Sequence, residues 1–238
     1  VGKYYSDNLF ITHKEIGELF LQELISFDRE NGNIIKEFII QMLQCIQFDI
    51  SRVGQYTFYN QLDIYFNKEV VSYLNTFQFF CTSPKNFLVV KKSQEGIAGK
   101  WIHILRDFIK DFDKNIFNIS KTDILQYDLP PFDNAKFLKT TSFINWVNDK
   151  IEDSEEKFKD GKREVRNHPS LKYKILVLIL CSKYQLYLNE IKNDQFVLRR
   201  DYIISKLSII KRLLIVIAEV SIVLLIHVIK ILKLKRTI

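Results

Sequence analysis

The clearest pair of residues that could do chemistry is Arg163 and His168, in the segment REVRNH. An imidazole can accept and deliver a proton near neutral pH. A guanidinium can stabilise the negative charge that builds up on a phosphorane. Arg166, between the two, could fill the same role as Arg163. Together these side chains carry the functional groups needed to cleave an RNA phosphodiester.

The spacing of this pair, an arginine, four intervening residues and a histidine, is similar to the motif of HEPN-type ribonucleases. The resemblance implies an all-helical, often dimeric protein in which Arg and His of two protomers act together on RNA. It covers six residues, and Pro169 directly after the histidine departs from the helical continuation of the family. The competing interpretation is a solvated turn between two helices, because an Arg–His pair at this spacing also arises by chance.

Other chemical signatures in the sequence are fragmentary. Gly96 and Gly99 stand among Lys91, Lys92 and Lys100, a pattern that looks like the backbone clamp of KH domains without the strands around it. We interpret these glycines as the loop that begins the next helix. The four histidines have no spacing to cysteines or carboxylates that would close a metal site, and phosphate-binding and nucleophile motifs are missing. No cofactor or metal is expected.

The three cysteines indicate the redox state of the compartment in which the protein lies. Cys45, Cys81 and Cys181 are odd in number and far apart, and each lies among apolar residues. Such cysteines pack as small hydrophobic side chains and do not build a disulfide framework. The sequence therefore predicts that the body of the protein lies in a reducing compartment.

Helical periodicity dominates the elements that must position these residues. Of the 238 residues, 47% are hydrophobic and 26% charged, which excludes a disordered chain. Apolar residues recur every three or four positions, which predicts an all-α bundle of about six to eight helices. The expected helices cover residues 13–28, 34–50, 55–81, 100–117, 141–160, 170–192 and 197–235, and the fifth is expected to end near Gly161.

Two consecutive prolines mark the expected internal boundary. Pro130 and Pro131 require an extended or turning backbone and therefore separate the helices on either side. The prediction is an N-terminal helical region over residues 1–127 and a C-terminal helical region over residues 135–208. A hydrophobic helix follows over residues 209–235.

The hydrophobic helix is the strongest feature of the sequence. Between Arg212 and Lys230 lie 17 residues, LLIVIAEVSIVLLIHVI, of which 14 are aliphatic. A bilayer span takes about 20 residues, and flanking isoleucines and leucines extend the run. Each aliphatic residue favours insertion by roughly 0.3–0.6 kcal/mol, whereas the charge of Glu219 costs about 3 kcal/mol. The balance favours insertion, so this helix is a candidate membrane anchor.

The polar and apolar residues of this helix are segregated. On a helical wheel, Arg212, Glu219, His227 and Lys230 share one half of the circumference. The apolar residues Leu213, Ile217, Val220, Leu224 and Val228 share the opposite half. This division is typical of the core helix of a soluble bundle, of a membrane helix whose polar side meets a partner, and of a helix buried in an assembly.

Charge is concentrated at the same end of the chain. Residues 197–238 contain nine basic and two acidic residues and so account for the whole net charge of +7, while residues 1–196 are neutral. Basic residues that bracket an apolar run attract anionic lipid. A nucleic-acid binder usually has its basic patch on the folded body.

We therefore expect a non-enzymatic, membrane-associated helical protein that acts through helix–helix contacts, as an assembly subunit or a membrane-acting effector. The expected partners are membrane lipid, other protein subunits or both, with nucleic acid less favoured. Only Thr237 and Ile238 follow Arg236, which favours a tail anchor with the body on one side of the membrane. Two alternatives stay open: a HEPN-like ribonuclease using Arg163 and His168, and a soluble subunit of a large complex.

Overall fold

The structure, a computed structural model, describes residues 16–82, 87–130 and 135–235. These residues form eight α-helices and a short 3₁₀ helix, Ala135–Lys139, and they contain no strand, so the predicted all-α class is confirmed. The α-helices are α1 Ile16–Glu30, α2 Lys36–Ser51, α3 Tyr59–Cys81, α4 Gln94–Phe112, α5 Lys121–Gln126, α6 Thr141–Asn167, α7 Leu171–Asn193 and α8 Lys206–Lys235.

Helix α4 begins earlier than the sequence predicted. The Ser93 hydroxyl accepts a hydrogen bond from the backbone nitrogen of Gly96 at 3.0 Å and so caps the first turn at Gln94. Gly96 and Gly99 consequently lie inside the helix, and their interpretation as a loop is wrong.

Helix α6 runs past Gly161, so the end predicted there is wrong. A Cβ atom at Gly161 would lie 2.7 Å from the Cα of Glu95, which means that glycine permits close contact between α6 and the start of α4. The helix ends instead at Asn167, and the next residue, His168, has an extended ψ of 138° because Pro169 follows it.

Helix α8 begins at Lys206, later than the predicted residue 197. Gln195 and Phe196 have positive φ angles of 54° and 62°, which take the chain out of the helical conformation after α7. The Ser205 hydroxyl then accepts a hydrogen bond from the backbone nitrogen of Ser208 at 3.0 Å and caps the new helix.

The hydrophobic core lies between α4 and α6. The rings of Trp101 and Trp146 meet edge to face at 6.5 Å, and Phe108 packs against Trp146 at 5.7 Å. This core takes residues from both predicted regions, 1–127 and 135–208, which therefore pack against each other. Helix α7 packs on α4 on one side and on α8 on the other.

Candidate functional site

Helix α8 contacts the rest of the chain along one narrow stripe. Val216 and Val223 are its buried apolar residues, and Glu219 lies between them with 13% of its side chain exposed. Lys162 of α6 donates from Nζ to Oε1 of Glu219 at 2.5 Å. The half-buried Arg212 precedes Val216 by one turn on the same side. The stripe therefore combines two valines with buried charge.

The opposite side of α8 is apolar, and the described residues do not cover it. Its large side chains are between 41% and 62% exposed, and they are Leu207, Ile210, Leu213, Leu214, Ile217, Leu224, Leu225 and Val228. We call this set the outer face. Only 11% of an 18-residue apolar window within Lys206–Ile229 is buried. Since a core helix buries its apolar side, α8 is not a core helix of the part of the chain that the structure describes.

The residues singled out from the sequence fall on both sides of α8. Arg212 and Glu219 face the body, and His227 is half-buried on the same side. Val220 is also half-buried, and the side chain of Lys230 lies outside the described part of the chain. The remaining predicted residues belong to the outer face and are Leu213, Ile217, Leu224 and Val228.

The one hydroxyl along the outer face needs no hydrogen bond to water. Ser221 Oγ donates to the carbonyl oxygen of Ile217 one turn earlier, at 2.8 Å. Its polar group is thus satisfied within the helix. The outer face can therefore enter an apolar environment without leaving this hydroxyl unpaired.

A cluster of charged groups lies beneath α8. Glu95 of α4 is fully buried, and among the described residues neither of its carboxyl oxygens has a hydrogen-bond partner of ordinary geometry. Lys162, Cys181, Arg212 and Glu219 surround it from α6, α7 and α8. We call Glu95, Lys162, Arg212 and Glu219 the charge cluster; it contains two carboxylates and two cations.

Burial changes the acidity of this cluster. Loss of hydration raises the pKa of Glu95 to about 7, with Lys162 acting in the opposite direction. Burial likewise raises the pKa of the Cys181 thiol beside it. The sequence did not predict this cluster, because its members lie far apart on three helices and "QEGIAG" carries no sign that its glutamate is buried. The one available signal was the glycine at 161, which marks a close contact between helices.

The two residues proposed for RNA chemistry have different hydrogen-bond partners in the structure. Arg163 is 78% exposed on α6 and pairs with Asp160 at 3.1 Å, within one turn of the same helix. His168 lies beyond the end of α6. Among the residues described, no hydrogen bond or ion pair links Arg163 to His168. The described residues show no direct contact between the two side chains within one chain, and the ribonuclease site stays a prediction.

The contacts of His168 hold neighbouring parts of the fold together. Its Nδ1 accepts a hydrogen bond from the backbone nitrogen of Ser170 at 3.2 Å, and its Nε2 lies 3.3 Å from the Gln78 amide nitrogen. The ring packs on Tyr173 with a centroid distance of 4.2 Å. Burial lowers the pKa of His168. The imidazole therefore joins α3 to the turn between α6 and α7.

The two glycines of the clamp-like pattern are packed against side chains. A Cβ atom at Gly99 would lie 3.0 Å from the Tyr184 ring, and Gly96 faces Val70 and Leu74 of α3. A backbone clamp for nucleic acid needs an open glycine loop. Gly96 and Gly99 instead permit helix packing.

In comparisons with known proteins, no protein-family model, curated protein or solved structure matches this chain significantly. Its function must therefore be inferred from its own residues. The feature with the clearest consequence is α8, which is long and apolar enough to cross a membrane and turns its apolar side outward.

Proposed function

We propose that this is a non-enzymatic, membrane-associated helical protein and that the outer face of α8 binds lipid. The observation that carries the proposal is the orientation of α8, with charged residues toward the body and aliphatic residues away from it. Full removal of one such side chain from water is worth roughly 1.5–3 kcal/mol. Eight of them on one face make a large unfavourable exposure unless something covers it.

The composition of the outer face favours lipid as its cover. Protein interfaces depend on aromatic and arginine side chains for most of their binding energy, whereas residues 207–229 contain no aromatic residue apart from His227. The apolar segment Lys206–Ile229 has 24 residues and is about 36 Å long, comparable with the hydrocarbon thickness of a bilayer. Basic residues at both ends of the run suit anionic headgroups.

Two attachment geometries would bury the outer face. A tail anchor would carry α8 across the bilayer and leave the body on one side. A surface helix would lie along one leaflet and stay in contact with the body. They differ in whether the ion pair between Lys162 and Glu219 survives attachment.

The proposal is tested by flotation of the full chain with phosphatidylcholine vesicles, with and without phosphatidylserine. We expect the protein to float, more completely with the anionic lipid. The variant Leu214→Lys/Ile217→Lys should stay in the dense fraction, because it places two charges on the outer face.

The matched control is Ile50→Lys/Leu125→Lys, which changes two exposed apolar residues on α2 and α5. This control should float like the unmodified chain. If the unmodified chain fails to float, lipid does not cover the outer face, and the protein-subunit interpretation replaces the proposal.

A further inference from the structure

We infer that α8 binds one leaflet while it stays docked on the body, and that the charge cluster prevents it from crossing the bilayer. This inference rests on the proposed lipid binding of the outer face. It specifies the attachment geometry, and it names the residues that select that geometry.

The docked side of α8 is held by contacts that a bilayer cannot replace. Glu219 and Lys162 are both largely buried, and their ion pair joins the middle of α8 to α6. Separating a buried ion pair leaves two charges without compensation, which is strongly unfavourable. Val216 and Val223 add apolar contact on either side of the pair.

Departure of α8 would also change the surroundings of the charges left behind. The docked cluster contains two carboxylates and two cations, so its formal charge is neutral when all four groups are ionised. Without α8, Glu95 and Lys162 would lose Arg212 and Glu219 as neighbours. The buried Glu95 carboxylate has no hydrogen bond of ordinary geometry among the described residues, and without α8 it would lose the favourable charge of Arg212 and keep that of Lys162.

Crossing the bilayer carries a further penalty at Glu219. This residue lies near the middle of Lys206–Ile229, so a spanning helix would place its carboxylate near the bilayer centre. A charge there lowers the equilibrium constant for insertion by roughly a hundredfold. Attachment along one leaflet avoids this penalty, because Glu219 points toward the body and remains paired with Lys162. The outer face, from Leu207 to Val228, can then enter the boundary between headgroups and acyl chains.

The test uses the full chain with a C-terminal epitope, bound to phosphatidylcholine–phosphatidylserine vesicles and treated with external protease. We expect the epitope to be cleaved and alkaline carbonate to release the protein from the vesicles. An epitope protected inside the vesicles would overturn the inference. A chain that does not float at all would instead contradict the proposed lipid binding, so the two failures are distinguishable.

The variant Glu219→Leu tests the role of the charge cluster. It removes the charge of Glu219 and should raise the ratio of carbonate-resistant, protease-protected protein to carbonate-released protein by about a hundredfold relative to the unmodified chain. The control Glu155→Leu breaks a more exposed ion pair between helices, with Lys192 at 2.8 Å between α6 and α7, and should not change this ratio.

A second variant keeps the test valid if Glu219→Leu unfolds. Lys162→Met/Glu219→Leu replaces both charges by apolar side chains, which leaves no unpaired ion beneath α8. A folded single or double variant that is still released by carbonate as readily as the unmodified chain would overturn the assigned role of the ion pair.

Discussion

At the scale of single residues, Glu95 departs furthest from the behaviour expected of its type. Glutamate is rarely fully buried unless it is paired. Here it lies beneath α8 with Lys162 and Arg212 as the neighbouring cations. Such a group makes stability depend on pH over a range that surface carboxylates do not affect.

The contribution of Glu95 to stability should fall as the pH rises toward neutrality. Burial raises the pKa of Glu95 from 4.5 to about 7, so the unfolded chain loses this proton at lower pH than the folded chain. The contribution of Glu95 is therefore greatest below pH 4.5 and is lost by about pH 7, a change of up to about 3 kcal/mol in the free energy of unfolding. Denaturant titrations over this pH range would measure it.

Glu95→Gln should flatten that profile, because the amide does not ionise. The control Glu155→Gln alters a partly exposed carboxylate and should keep the profile of the unmodified chain. Parallel profiles for Glu95→Gln and the unmodified chain would show that Glu95 does not titrate in this range.

His168 gives a second prediction at this scale. Because its ring contacts Gln78, Ser170 and Tyr173, we expect His168→Ala to lower the free energy of unfolding by about 1–2 kcal/mol. We expect no His168-dependent cleavage of RNA by the purified chain. Cleavage that His168→Ala abolishes in a folded protein would instead support the ribonuclease interpretation, and Arg163→Ala should then abolish it as well.

At the scale of secondary-structure elements, the contact between α4 and α6 depends on one glycine. The variant Gly161→Ala brings a methyl group to within 2.7 Å of the Glu95 Cα atom, where backbone must move. We expect a loss of about 1–3 kcal/mol in unfolding free energy. The control Lys159→Ala lies on the exposed side of the same helix and should have little effect. An unchanged melting temperature for Gly161→Ala would contradict the close contact.

Sequence periodicity was sufficient to predict the bounds of helices that bury one apolar stripe. The predicted ranges 34–50 and 170–192 agree within two residues with α2 and α7. The end of α6 and the start of α8 were missed for tertiary or local reasons, namely the glycine contact at 161 and the left-handed backbone at Gln195 and Phe196. The spacing of apolar residues encodes neither the glycine contact nor the left-handed backbone.

The candidate site was predictable only in part, because sequence spacing shows which residues share a side of a helix but not what that side contacts. The helical wheel placed Arg212 and Glu219 on one side of α8 from their spacing alone. It did not show that this side faces the body, because the decisive partner, Lys162, lies on another helix 57 residues away. Glu95 was missed because only packing buries it.

At the scale of the whole molecule, charge and apolar surface are arranged together. The excess positive charge lies in residues 197–238, which also carry the outer face, while the rest of the chain is neutral and surrounds its own core. This arrangement gives the molecule one side suited to an anionic membrane. The shared core of α4 and α6 keeps the body folded behind that side.

The most direct test of lipid contact is fluorescence quenching by brominated lipids. The two native tryptophans, Trp101 and Trp146, are buried in the core, so a new tryptophan on the surface reports its own environment. The outer face predicts strong quenching for Ile217→Trp in brominated vesicles and little for Ile50→Trp, an exposed position on α2. Equal quenching at both positions, or none at 217, would contradict the account that α8 faces lipid.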